Sequence, residues 1–195
     1  YEMSASLVGS EMCIRDSGYR YGLEPGLRLL QQAKVYGIQE LTYYGFTVDN
    51  CKRPHDQFVA FQKACVEAVQ FLTTEGADLL VIGNTESKCF PEELKKYTTR
   101  TSVNGGGIKL NFLVNYGWKW DLSHILQDGL PYSSDISRID MIVRWGGMRR
   151  LSGFLPIQSV YADFYVEDKL WPDYENADFR KAMAWYENQD DTFGG

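Results

Sequence analysis

The run Arg144-Trp145-Gly146-Gly147-Met148-Arg149-Arg150-Leu151-Ser152 combines three guanidiniums, two glycines and a hydroxyl. Arginine presents a planar fork to phosphate oxygens, and glycine lets the backbone approach a ligand. The set suits a diphosphate-bearing substrate. It lacks the Gly-x-x-x-x-Gly-Lys-Ser/Thr order of a Walker loop. A second polar run, Phe46-Thr47-Val48-Asp49-Asn50-Cys51-Lys52-Arg53-Pro54, offers a hydroxyl, a carboxylate, an amide and a guanidinium. Read alone, the first loop also fits a solvated basic turn, and the second an Asx-rich turn capping the next helix. Asp163 stands among apolar strand residues. A carboxylate there suits Mg²⁺, which prefers carboxylate and phosphate oxygens, and equally suits a strand-edge charge. Cys51 has no histidine near it in sequence except His55, and His124 reads as a helix-surface residue.

These loops need elements to position them. Leu27, Leu30 and Lys34 at helical spacing predict a helix over residues 25–36, stopped by Gly37. Residues 38–46, with Leu41, Tyr43 and Tyr44, read as a strand. Phe58, Phe61, Cys65, Val69 and Leu72 recur at steps of three and four. They predict an amphipathic helix over residues 55–74, about five turns long. Further strands are expected over 77–82, 108–114, 140–144 and 161–166. A short polar helix is expected over 91–99, a flexible turn at 104–107 and a helix over 118–127. A closing helix over 178–188 is capped near Asn176. The alternation predicts a single α/β domain whose central, mostly parallel sheet is flanked by helices. Ligands in such sheets sit beyond the carboxyl ends of the strands, where both polar loops fall.

Composition narrows the function. The 195 residues include 20 basic and 26 acidic side chains, a net charge of -6. That balance excludes a general nucleic-acid binder, which needs a basic face. A hydrophobic fraction of 44% excludes intrinsic disorder. No apolar run approaches the roughly 18 residues that span a bilayer. The cysteines, Cys13, Cys51, Cys65 and Cys89, form no CxxC pair and only two histidines accompany them, so a structural zinc site is not expected. Reduced thiols in a cytoplasmic protein are the expectation.

The N-terminus has neither a secretory nor an amphipathic targeting layout. Met12-Cys13-Ile14-Arg15-Asp16-Ser17 is what the codons ATG TGT ATA AGA GAC AG encode, the transposon end used in sequencing-library preparation. Residues 1–17 are therefore read as an adaptor-derived segment or a disordered arm, and residues 18–195 as the domain.

Together the loops resemble the cis-prenyltransferase family, over residues 18–195. The resemblance rests on ordered blocks. Gly37-Ile38, Leu41-Thr42, Gly45-Phe46 to Asn50 and Lys52-Arg53-Pro54 form the first. Ile82-Gly83-Asn84, Leu110-Asn111 and Asn115-Tyr116-Gly117 match further strand ends. Arg144 to Ser152, Phe154-Leu155, Gln158 and Tyr161-Ala162-Asp163 look like a diphosphate signature. Trp171-Pro172-Asp173 and Phe193-Gly194-Gly195 close the match. The resemblance implies condensation of isopentenyl diphosphate with an allylic diphosphate into Z-prenyl chains, with Mg²⁺ and a hydrophobic tunnel. It implies that Arg144, Arg150 and Ser152 hold isopentenyl diphosphate and that Asp163 is metal-associated. Asn50, Asp49 and Arg53 would act in the condensation loop, and Gly45 would leave room in the tunnel. A homodimer built on the later strands and helices, and peripheral membrane contact through a lipid product, are implied as well.

Departures are visible. The family's leading Met-Asp-Gly-Asn segment is absent, so the domain is expected to lack its first strand and diphosphate loop and to be weakly active or inactive. Leu23 replaces a histidine, Met148 an acid and Cys51 an aromatic residue. The segment between Leu126 and Arg138 is short, and Asp191-Thr192 replaces a basic pair. Met148 and Pro156 resemble the branch making irregular, lavandulyl-type terpenes, whereas Asp49 and Lys52-Arg53-Pro54 favour chain elongation. A non-catalytic partner subunit is the third reading.

Overall fold

The computed structural model describes residues 2–6 and 18–189, with the backbone alone at 2–6 and 18–22. In chain order its elements are β1 (Glu2–Ser6), α1 (Gly18–Val35), β2 (Glu40–Thr47), α2 (His55–Leu72), β3 (Ala77–Ile82) and β4 (Thr101–Val103), then β5 (Lys109–Tyr116), α3 (Trp118–Ser123), α4 (Ile125–Asp128), β6 (Met141–Trp145), β7 (Asp163–Glu167) and α5 (Asn176–Tyr186). Among the described residues the strands form one sheet in the order β4-β3-β5-β2-β1-β6-β7. Each pairing is parallel except β3 with β4. The expected α/β architecture is therefore present.

Alternation along the central strands divides the core between two faces. Tyr43, Leu79 and Val81 face one side, and Tyr44, Leu80 and Ile82 the other. The first side packs under helices through Leu30 and Ala33 of α1, Cys65, Val69 and Leu72 of α2, and Phe179 and Met183 of α5. The second is covered by Ile136, Ile139, Phe154 and Leu155 from the chain around β6. Strands covered on both faces read as continuous apolar runs; every residue of β5 after Lys109 is buried.

Several boundaries differ from expectation. By sequence, residues 1–17 are set apart from the domain; in the structure Glu2–Ala5 pairs with Glu40–Tyr43 and Met3–Ser6 with Met141–Arg144. Residues 2–6 thus lie between β2 and β6 in the sheet. A parallel ladder is made by backbone N–H and C=O groups, so side-chain type alone could not place this segment. Residues 7–17 lie outside the described residues. Helix α1 begins seven residues before Pro25, although proline lacks the N–H an interior turn uses. It ends as expected: Gly37 adopts φ +70°, and the Ile38 N–H reaches the Ala33 carbonyl at 3.0 Å. The helix expected over 118–127 is divided into α3 and α4 at His124. There Tyr132 stacks between His124 and Trp120, with ring centroids 4.0 and 4.3 Å away. Edge strand β4 is short, polar and largely exposed, so it carried no apolar alternation to find.

Candidate active site

The two polar loops meet at the carboxyl end of the sheet. Strand β2 runs into a short 3-10 turn, Val48–Lys52, and β6 runs into residues 146–155. Tyr44, near the end of β2, joins them. Its hydroxyl donates to the Ser152 carbonyl at 3.2 Å. Burial, then the Asp49 carboxylate, push the Tyr44 pKa above the usual phenol value, and Arg144 partly offsets them. Tyr44 is thus within electrostatic reach of both loops. Sequence reasoning treated it only as a strand residue; its place one step before Gly45-Phe46 at a strand end was the available signal.

Arg144 belongs to buried strand β6 and is 4% exposed. Desolvation, then the neighbouring charge of Arg150, pull its pKa below the usual arginine value. Two guanidiniums held close, one of them buried, favour an anion between them. The loop that follows bends sharply. Gly146, Gly147 and Gly153 have positive φ, as does Ser152 at +52°. A β-carbon at Gly153 would stand 2.7 Å from the Trp118 ring, so glycine is required there. The Gly146 and Gly147 N–H groups bond to the carbonyls of Lys169, just past β7, and of Glu167, its last residue. Arg150 and Ser152 are exposed.

The other loop is a closed turn. The Asn50 amide oxygen accepts from the Thr47 N–H and hydroxyl, both at 2.8 Å. The Asn50 acceptor is therefore engaged, and its amide N–H₂ is the group available to donate to a ligand. Val48 packs where a β-carbon on Gly117 would be only 2.8 Å away. Asp49 is 76% exposed and pairs with Lys52 at 2.7 Å. Arg53 lies over the Phe61 ring at 5.4 Å. Gly45 faces α2, where an added β-carbon would meet the Cys65 sulfur and the Leu113 carbonyl at ordinary contact, 3.8 Å.

The cysteines depart from expectation. Cys51 and Cys89 are disulfide-paired, with Cα atoms 6.1 Å apart, whereas Cys65 is free and buried. Cys13 lies outside the described residues. The reading of reduced thiols is thus corrected for one pair. The two were remote in sequence, and only packing the segment after β3 against the Asn50 turn brings them together.

Asp163 does not join the arginines. It opens β7 opposite Met141, three strand steps from the level of Arg144, about 10 Å. Among the described residues no three His, Cys, Asp or Glu side chains gather into a metal cage. Mg²⁺ takes one or two carboxylates together with substrate phosphates. A single Asp163 carboxylate at the far end of β6 does not fit that requirement within this chain.

A cleft of about 780 Å³ lies between α2 and residues 85–95, lined by Val59, Val66, Phe90, Lys63, Lys88 and Glu93. Among the described residues no helix is long and apolar enough to cross a membrane.

A family model described as putative undecaprenyl diphosphate synthase matches residues 10–194. The chain is 31% identical to the ditrans,polycis-undecaprenyl-diphosphate synthase, (2E,6E)-farnesyl-diphosphate specific, of Escherichia coli K12, over 93% of this chain and 82% of that protein. It is 29% identical to an isoprenyl transferase of Clostridium perfringens over the same shares. Two solved structures share the fold at 20% identity, each covering 100% of this chain and 98% of its own. A probable undecaprenyl diphosphate synthase from Campylobacter jejuni superposes with a TM-score of 0.71. The lavandulyl diphosphate synthase of Lavandula x intermedia, in complex with dimethylallyl diphosphate, gives 0.75. With its mostly parallel sheet and paired site loops, the chain belongs to the undecaprenyl diphosphate synthase family of cis-prenyltransferases.

Proposed function

We propose that this protein condenses isopentenyl diphosphate with an allylic prenyl diphosphate to form Z-prenyl chains. The observation that carries the reading is the buried Arg144 guanidinium beside Arg150, at the carboxyl end of the sheet. Diphosphate oxygens accept hydrogen bonds from both forks and offset the repulsion between the two charges. Ser152, fixed through its own carbonyl by Tyr44, adds a hydroxyl to that subsite. Across the site, Arg53 and the Asn50 amide N–H₂ are assigned to the allylic diphosphate, where charge develops as the carbon–oxygen bond breaks. The new carbon–carbon bond is balanced by loss of that diphosphate and one proton. The exposed Asp49 carboxylate, tied to Lys52, orients the turn. The apolar layer between α1, α2 and the sheet, at Phe46, Phe61 and Cys65 beside Gly45, is assigned to the prenyl tail.

The family generally uses a divalent metal. Mg²⁺ is the ion whose chemistry suits diphosphate oxygens, but Asp163 stands apart from the arginines assigned to those oxygens. A homodimer is proposed on exposed apolar residues late in the chain, Leu151, Ile157, Val160 and Tyr161. Peripheral membrane contact follows from a lipid product.

The test is incubation with labelled isopentenyl diphosphate and dimethylallyl diphosphate, followed by product analysis. Linear Z-prenyl diphosphates are expected. A branched ten-carbon product would overturn elongation in favour of irregular coupling, and failure to bind isopentenyl diphosphate would overturn the enzyme reading.

A further inference from the structure

We propose that Cys51 and Cys89 are a reversible dithiol–disulfide switch that sets the mobility of the turn carrying Asn50 and Arg53. The two residues are separated by 38 positions, and their Cα atoms lie 6.1 Å apart, inside the span a disulfide bridges. They belong to unlike partners. Cys51 lies in the turn Val48–Lys52, which has no buried residue. Cys89 is 4% exposed on an anchored segment. There the Gln62 amide of α2 donates to the Lys88 and Cys89 carbonyls at 3.2 and 3.1 Å, and Phe90 is buried. A bond between them ties a surface turn to a fixed platform.

The open state has its own partner. Asn115 Oδ1 lies 3.1 Å from the Cys51 sulfur, so a Cys51 S–H donates to it once the disulfide is reduced. Asn115 is itself held, its amide N–H₂ donating to the Asn84 carbonyl at 2.9 Å. The same position of Cys51 can therefore be held by a covalent bond to Cys89 or by a weaker hydrogen bond to Asn115. Cys65 takes no part: it is buried, and burial pushes its thiol pKa up to about 12.

The exchange balances with a small disulfide such as glutathione disulfide. The half-buried Cys51 thiolate attacks one external sulfur, and the first glutathione leaves as a thiolate that takes up a proton. The Cys89 thiolate then attacks the Cys51 sulfur and releases the second. Two protein thiols are oxidised and one external disulfide is reduced to two thiols. In a reducing compartment such a pair is a transient, sensing bond rather than a structural one.

The functional meaning of the switch rests on reading this turn as part of the diphosphate site, so the experiment separates the two. The full chain is equilibrated in oxidised and reduced glutathione buffers. It is then mapped by non-reducing peptide analysis and by hydrogen exchange over residues 47–53. A Cys51–Cys89 peptide in the oxidised sample is expected, with exchange over the turn slowed on the order of tenfold. Both effects vanish in C51S and persist in C65S. The switch is overturned if the cross-link fails to form, or if it forms and exchange is unchanged. Binding of inorganic pyrophosphate is measured in parallel. Its absence in both redox states would overturn the diphosphate reading while the exchange result still decides the switch.

Discussion

The Tyr44 hydroxyl is hydrogen-bonded at 3.2 Å to the carbonyl of Ser152, a residue 108 positions away. This contact ties the end of β2 to the arginine loop, and Ser152 meets it with a left-handed backbone, φ +52°. Tyr44→Phe keeps the ring packing with Phe154 and Tyr116 and removes only the hydroxyl. The expected cost is about 1 kcal/mol in denaturant unfolding. The KM for isopentenyl diphosphate rises several-fold because the Ser152 turn is less well held. An unchanged KM would separate the contact from substrate binding.

Arg144→Lys retains the charge and loses the planar fork. Pyrophosphate affinity is expected to fall about tenfold, read by titration calorimetry, with thermal stability close to wild type. If lysine binds as well as arginine, the subsite is a diffuse positive field rather than a bidentate cradle.

Asn50 has two functions that substitution can divide. Asn50→Ala removes the acceptor serving Thr47 and the donor assigned to the ligand. It should cost about 1 kcal/mol in stability and about 100-fold in kcat. Asn50→Asp keeps an oxygen for Thr47 and loses the donor, so stability returns and kcat does not. Recovery of both in the aspartate variant would make Asn50 purely structural.

Cys65 gives a pH signature. Burial raises its thiol pKa from 9.0 to about 12. The folded chain keeps a proton that the unfolded chain loses, so the contribution is full below about pH 9 and is lost as pH rises toward 12. Wild type should therefore lose stability relative to Cys65→Ala as pH climbs above about 9, in paired melting curves where shared alkaline effects cancel. A constant difference between the two proteins would contradict it. At neutral pH the same thiol should resist alkylation.

Gly83 fixes the junction beyond β3. A β-carbon there would fall 1.6 Å from the Val114 carbonyl oxygen, which is backbone and cannot turn aside. Gly83→Ala should destabilise the protein by about 3 kcal/mol, measured by chemical denaturation. A neutral result would mean that β3 and β5 separate easily at that end.

Periodicity made much of this fold legible. The apolar repeat of Phe58, Phe61, Cys65, Val69 and Leu72 marked α2, and the run at residues 77–82 marked β3 with both ends correct. Parallel topology followed from alternation, because a helix between strands returns the chain to the same end of the sheet. Strand β4 and the break at His124 were not legible. A three-residue polar edge has no repeat, and the break coincides with ring stacking on Tyr132, which arrives from beyond α4.

By itself, the sequence determined the residue types of the site, the order of the strands from β2 onward except β4, and the end of the sheet where both loops fall. Those properties are local: each depends on spacing within a few turns or on which loop follows which strand. The tertiary structure decided the rest. It set Tyr44 between Asp49 and Arg144, occupied the Asn50 acceptor with Thr47 and paired Cys51 with Cys89. It left Asp163 at the far end of β6 and seated Glu2–Ser6 between β2 and β6. Except for the Asn50–Thr47 bond and the approach of Tyr44 to Asp49, these are distances between positions remote along the chain. They arise only when the strands pair and the two faces of the sheet pack, because contact then depends on register and burial rather than on spacing.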